Sequence, residues 1–333
     1  MSAQAQNPSL ASRIRGCLYG IACVDALGAP VEFKRRGSFP PVTKMRYIAH
    51  FDLPPGSWTD DTSMTLCLAK SLVEKQGRLD ARDQVSRYIK WIRDGYLSSK
   101  AGEAFDVGNA TRVALALWEE TFRNGESDDY GQRQIDEVLF KVHSCGNGSL
   151  MRTAPIGLVY FRESEDVLRK NAAQASRITH PHTICIEACQ FYVRMIQLIL
   201  QDAVQADHTA LDSFLMGYKF EMPQLKSIVD KSREHGSMAQ IPESEILSSG
   251  YVVHTLEAAL WAFLSTDSFR DGALKVVNLG DDADTVGAVY GGLAGAYYGL
   301  EAIPSEWMTA LQSRPLLDEV IEGLVELAVH EGR

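Results

Sequence analysis

Helical periodicity runs through almost the whole chain, and it is what most limits the folds open to it. Apolar residues recur at spacings of three and four over 13–27, 62–74, 79–96, 110–123, 162–178, 183–202, 250–264, 286–298 and 316–330. That is the period of a helix with one buried face. In the last stretch Val320, Ile321, Leu324, Leu327 and Ala328 make one stripe, while Glu319, Glu322, Glu326 and Glu331 face away or flank it. A sheet needs sustained alternation, and only a short pair within 42–51 could supply it. Glycine and proline breaks at 28–30, 40–41, 54–56, 146–148, 181 and 280 are evenly spread, with no long linker. The expectation is an all-α fold with negligible strand. It is one compact domain over 13–333, behind a flexible N-terminus of 1–12. Residues 219–245 are polar and weakly periodic, and are expected to form a loop with short helices.

At 333 residues and 45% hydrophobic, the chain can bury a large core. Its net charge of −10 argues against nucleic-acid binding, which goes with a basic surface. Lys34, Arg35 and Arg36 form the only dense basic patch. The six cysteines form no CxxC pair and lie largely in apolar runs, so reduced thiols of a cytoplasmic protein are expected. No signal-peptide pattern opens the chain. The longest apolar run, 286–300, is shorter than the ~20 residues of a membrane span. A monomer is expected.

Two acid clusters stand at helix starts. In "WTDDT", Thr59, Asp60 and Asp61 open an apolar helix; in "GDDADT", Asp282, Asp284 and Thr285 open another. Helix capping accounts for either cluster alone. A divalent cation also accounts for them, since Mg²⁺ and Mn²⁺ favour such hard oxygen donors. Ala283 and Val286 break the EF-hand pattern. The second helix carries Gly287, Ala288, Gly291, Gly292, Ala294, Gly295 and Ala296. Small residues of that kind let helix backbones approach closely and could bring two helix ends to a shared pair of ions.

Other motifs bear polar groups on turns. Glu32 follows "DALGAPV", and Asp25 lies inside an apolar helix, where a buried acid needs a partner. "FDVGNATR" supplies Asp106, Gly108 and Asn109, the glycine permitting close backbone approach. "SCGNGSLMR" places Gly146, Asn147 and Gly148 before a helix, a turn that can aim N–H groups at phosphate. It lacks the Lys-Ser/Thr of a nucleotide-triphosphate loop. His180, His182, Cys185 and Cys189 could suit zinc, but the two thiols lie four apart on an apolar helix face, as core cysteines do.

Six segments in order identify a family resemblance: "RGCLYGIACVDALGAPVEF", "WTDDTSM", "FDVGNATR", "SCGNGSLMRTAPIGL", "THPH" and "GDDADTVGAVYGGLAGAYYG". Together they resemble the ADP-ribosylglycohydrolase family. The resemblance implies an all-α orthogonal fold and a site for two divalent cations, Mg²⁺ or Mn²⁺, held by Thr59, Asp60, Asp61, Asp282, Asp284 and Thr285. It implies that Glu32 handles the attacking water and that Asp106 lies near the reacting ribose. It further implies an ADP-ribose cleft lined by Gly108, Asn109, Ser144, Gly146, Asn147, Gly148, Ser149, Met151 and His180. Asp281 departs from the family pattern, many relatives carrying glycine there. The implied activity is release of ADP-ribose from a modified protein side chain, with a lean toward arginine. The alternatives are an O-linked ADP-ribose hydrolase, or a non-catalytic ADP-ribose-binding or crystallin-like relative.

Overall fold

The computed structural model describes residues 7–201 and 208–330. Its α-helices are α1 (Leu10–Gly28), α2 (Asp60–Glu74), α3 (Ala81–Asp94), α4 (Asn109–Arg123) and α5 (Asp128–Leu139). Next come α6 (Ala154–Val159), α7 (Glu165–Arg177), α8 (Thr183–Leu200), α9 (His208–Gly217) and α10 (Pro223–Glu234). The last five are α11 (Val252–Leu264), α12 (Phe269–Val277), α13 (Ala283–Tyr298), α14 (Ser305–Ala310) and α15 (Arg314–His330). Among the described residues no strand forms. The pair expected within 42–51 is reduced to one isolated antiparallel bridge, Ile48 to Leu53. Pro40 and Pro41, which lack N–H donors, stand just before it.

The axis of the fold is the antiparallel pair α1 and α13. Both are largely apolar or small and almost wholly buried, as a helix without a continuous polar face must be. Glycines meet across the seam at intervals of four. A β-carbon on Gly16 would fall 2.3 Å from the Gly295 carbonyl oxygen, and one on Gly20 2.3 Å from that of Gly291. One on Gly28 would fall 2.4 Å from the Ala283 oxygen. The seam therefore carries the C-terminal end of α1 to the N-terminal end of α13. One large core surrounds it, from Ile14 to Ala328, and Ala29, Ile48 and Leu53 form a small separate cluster.

Helix α1 begins at Leu10, three residues before the expected start, with Ser9 accepting a capping hydrogen bond from Ser12 N at 3.1 Å. Of the expected flexible segment, residues 1–6 lie outside the described residues. Asp202, the expected end of the 183–202 stretch, lies outside them too, and α8 closes at Leu200. The 219–245 stretch holds more helix than expected: α10 starts on Pro223 and buries Leu225, Ile228, Val229 and Ser232. Two segments are long and apolar enough to cross a membrane, Leu10–Val31 and Thr183–Leu200, but 94% and 78% of them are buried inside the protein. The expectation that 286–300 is the longest apolar run overlooked both, because Arg13, Arg15 and Asp25 and the polar residues of α8 interrupt them.

Candidate active site

The site is assembled by three chain ends meeting at one end of the α1–α13 seam. Helix α1 runs out through the 3₁₀ turn Ala29–Val31 into Glu32. The next residues are clamped to the loop before α13. Phe33 N donates to the Asp281 carbonyl at 2.7 Å, and Asp281 N donates to the Lys34 carbonyl at 2.8 Å. Asp281 is exposed, with φ +53°. The left-handed backbone there accounts for the glycine of the family pattern, and the extra carboxylate points outward.

Helix α2 arrives with its first turn already capped, and not by its own acids. Asp25, wholly buried on α1, accepts from Thr59 N at 3.0 Å, Thr59 Oγ1 at 3.0 Å, Thr62 N at 3.2 Å and Thr62 Oγ1 at 2.5 Å. Thr59 makes no side-chain cap, and neither does Asp282 at the start of α13. Capping therefore leaves Asp60, Asp61 and Asp284 unexplained. Thr285 Oγ1 donates to Asp61 Oδ2 at 3.2 Å, joining the first turns of α13 and α2.

Most of these acids have no positive neighbour. Asp61 Oδ1 and both Asp284 oxygens are buried without a hydrogen-bond donor, and Glu32 Oε2 makes no hydrogen bond, with the His50 ring nitrogen near it at 3.4 Å. Carboxylate oxygens of Glu32, Asp282 and Asp284 lie within 4.8 Å of one another. Burial, reinforced by the carboxylates of Asp106, Asp282 and Asp61, pushes Glu32 up to about 11. Burial raises Asp25 to about 7 and Asp106 to about 6. It also lifts Asp60, Asp61 and Asp284 well above the usual carboxylate range, and like charges push them the same way. Buried, donor-less carboxylates at this density fit divalent cations, which would supply the missing positive charge. Asp282 is the partial exception, its Oδ2 accepting from Asn147 Nδ2 at 2.7 Å.

The acids open into a cleft of about 620 Å³, within the range of small-molecule sites. Glu32, Asp60, Asp106, Asp282 and Thr285 line one part of it. Gly108, Asn109, Ser144, Gly146, Asn147, Gly148, Met151 and His180 line the rest. Thr59, Asp61 and Asp284 lie behind this wall, fully or almost fully buried. Ser149 is not at the cleft. It is buried, accepts from Ser176 Oγ at 2.8 Å and lies 3.5 Å from Cys189 Sγ. It follows Gly148 into the packed interior, so the loop presents its glycine and asparagine but not this serine. Asp106 takes φ +56°, a strained setting that turns its carboxyl toward Glu32 and Asp284.

The loop 146–148 is fixed by two neighbours. Arg152, buried, donates to the Gly148 carbonyl at 2.9 Å and to Thr179 Oγ1 at 2.7 Å. His180 packs so closely that a β-carbon on Gly148 would sit 2.9 Å from its Cε1. Burial, and the charge of Arg152, lower His180 to about 3, so it is a neutral ring at the cleft wall. His182 is used elsewhere, its Nδ1 accepting from Ile184 N at 3.2 Å, and all six cysteines are buried and free. The zinc alternative thus has no assembled ligand set among the described residues. Sequence reasoning missed Phe33, Lys141 and His143, which also line the cleft. Lys141 and His143 flank the glycine motif closely enough to have been noticed; Phe33 had no signal beyond following Glu32.

Comparison with known proteins gives a consistent picture. The family model described as ADP-ribosylglycohydrolase matches residues 6–333. An ADP-ribosylarginine hydrolase of Serratia proteamaculans is 34% identical over 96% of this chain and 80% of its own length. The ADP-ribosyl-[dinitrogen reductase] glycohydrolase of Rhodospirillum rubrum is 30% identical over 92% of each. A solved structure titled as an ADP-ribosylglycohydrolase-related protein complex superposes with a TM-score of 0.77, at 38% identity and 96% coverage of this chain.

Proposed function

The chain belongs to the ADP-ribosylglycohydrolase family, and from that premise we propose that it hydrolyses the N-glycosidic bond between ADP-ribose and a protein arginine, using two divalent cations. The observation that carries the reading is the set of buried carboxylate oxygens that accept no hydrogen bond, Glu32 Oε2, Asp61 Oδ1 and both of Asp284, at and just behind the wall of a nucleotide-sized cleft. The arginine preference is supported by the named activity of the Serratia relative at 34% identity.

Thr59, Asp60, Asp61, Asp282, Asp284 and Thr285 would hold the cations. Bound there, Mg²⁺ or Mn²⁺ supplies charge that orients ribose hydroxyls and favours ionisation of water. The chain's own groups do the rest. Glu32 takes a proton from the water that attacks the anomeric carbon. As the carbon–nitrogen bond breaks, its electron pair leaves with the guanidine nitrogen, which takes up a proton, and the products are ADP-ribose and arginine. A carboxyl held near 11 by burial and neighbouring acids cannot act as a base at neutral pH. Cationic charge nearby lowers it into the working range. Gly146, Asn147 and Gly148 hold the diphosphate end of the substrate, with neutral His180 as the packed floor beneath them. Asp106, beside Glu32, supports the ribose.

The test is release of ADP-ribose from proteins modified on arginine or on serine, with Mg²⁺, with Mn²⁺ and with chelator. Chelator-sensitive release from arginine is expected. Release from serine alone selects the O-linked reading, and binding of ADP-ribose without release selects the non-catalytic one.

A further inference from the structure

One cleft residue is left without a task. Phe33 is 72% exposed, although the acid before it is buried. It stands at φ +60°, where a bulky side chain is uncommon and glycine is the ordinary occupant. An aromatic ring presented to solvent from a strained backbone is costly twice over, which points to use. The clamp between Phe33 and Asp281 fixes the backbone, so the ring's direction is set by the same contact that sets Glu32.

Its surroundings specify a ligand. The ring meets His50 edge-on at 6.1 Å, and a ladder continues through Phe51 at 4.2 Å to Phe105 at 5.0 Å. Phe105 precedes Asp106, so the ladder joins the two segments that carry the reacting acids. The cleft beside the ring is walled by Glu32, Asp60, Asp106 and Asp282. Two of the nearby cations are engaged elsewhere. Lys34 Nζ donates to the Pro30 carbonyl at 2.8 Å, and Arg36 donates to the carbonyls of Glu243 at 2.6 Å and Ile246 at 2.5 Å. An exposed aromatic ring at the rim of an acid-lined cleft is complementary to a flat, delocalised cation. We propose that Phe33 is the platform on which the guanidinium of the modified arginine rests, making it the residue that selects a cationic leaving group. This rests on the arginine hydrolase reading and adds a selectivity element to it.

The experiment compares wild type with Phe33→Ala, Phe33→Leu and Phe33→Trp on an ADP-ribosyl-arginine peptide, with ADP-ribose affinity measured by calorimetry on each protein. Ala and Leu should both lower kcat/KM by roughly 3- to 30-fold, the range of an aromatic–cation contact. Trp should retain or exceed the wild-type value, and ADP-ribose affinity should be unchanged throughout. Leu at wild-type level would show that the site wants only apolar bulk and overturns the platform, as does a parallel loss of ADP-ribose affinity. Wild type inert toward the arginine peptide overturns the arginine reading itself, an outcome distinct from an active enzyme indifferent to residue 33. Melting curves on the three variants check folding; this exposed side chain should leave them unshifted.

Discussion

Thr285 on α13 donates its hydroxyl hydrogen to Asp61 on α2 at 3.2 Å, across 224 residues of chain. This contact brings two acidic helix starts to one place. The acids of each would otherwise repel with nothing between them.

Asp284 has two buried oxygens and no donor for either, so its charge is a liability until a cation arrives. Asp284→Asn should raise the stability of chelated protein by about 1–3 kcal/mol, the cost of leaving a buried group unsatisfied. It should also abolish both hydrolysis and the rise in melting temperature on adding Mg²⁺ or Mn²⁺. Melts of both proteins in chelator and in metal check it; an unaltered metal response in the variant would remove Asp284 from the ligand set.

The same crowding gives a pH signature. Glu32 at about 11 and Asp25 at about 7 lie above their ordinary values, so in chelator the native state holds protons that the unfolded chain has released. Stability must then fall by about 1.4 kcal/mol per pH unit between each group's ordinary value and its raised one, so Asp25 contributes below about 7 and Glu32 continues above it. His180, lowered to about 3, acts in the opposite sense, but only below its ordinary value near 6.5. Between pH 7 and 9 the decline should therefore stand alone, and saturating Mg²⁺ should flatten it. A chelated protein equally stable at both ends of that window would contradict the assignment of these groups.

Asp25 replaces a conventional cap, accepting from two backbone and two hydroxyl donors at the start of α2. Asp25→Ala should cost about 2–4 kcal/mol, since a cap is worth ~1 kcal/mol and several buried donors are orphaned at once. Denaturant titration measures it. Because α2 carries Asp60 and Asp61, metal affinity should fall along with stability.

Close approach along the α1–α13 seam depends on missing side chains. Gly20→Ala places a carbon 2.3 Å from the Gly291 carbonyl oxygen, and backbone there can only move apart. A loss of about 3 kcal/mol or more is expected, at the upper end of overpacking costs. Gly108→Ala is the control: nothing lies within 4 Å of the added carbon, so its melting temperature should hold.

Glu32→Gln should keep the fold and ADP-ribose affinity while lowering turnover by ~10²–10⁴-fold, the usual contribution of a positioned acid or base. Single-turnover kinetics separates this from weakened binding, and unchanged rates would remove Glu32 from the chemistry.

Long helices with apolar stripes could be read from the sequence because burial writes its period there. The short ones could not. Helix α5 buries only Gly131, Ile135 and Leu139, too thin a stripe to stand out, although Ser127 before Asp128 and Asp129 is a capping signal that would have marked its start. The acids could be read as a group, but their separate tasks could not. Nothing local distinguishes Asp25, which caps a helix 34 residues on, from Asp61, which is left without a donor on one oxygen. Ser149 could not be separated from Gly148 by residue type, since only packing sends one inward and leaves the other at the cleft. Phe33 needed the clamp to Asp281, a contact between opposite parts of the chain.

The glycine seam also orders events during synthesis. Its two halves are far apart in the chain, so α1 emerges long before the helix it must pack against. Until α13 leaves the ribosome, Asp60 and Asp61 lack the partner that completes the pocket, and a chain cut short of α13 has no assembled site. Assembly of the pocket thereby waits on synthesis of α13, at the expense of slow, long-range closure.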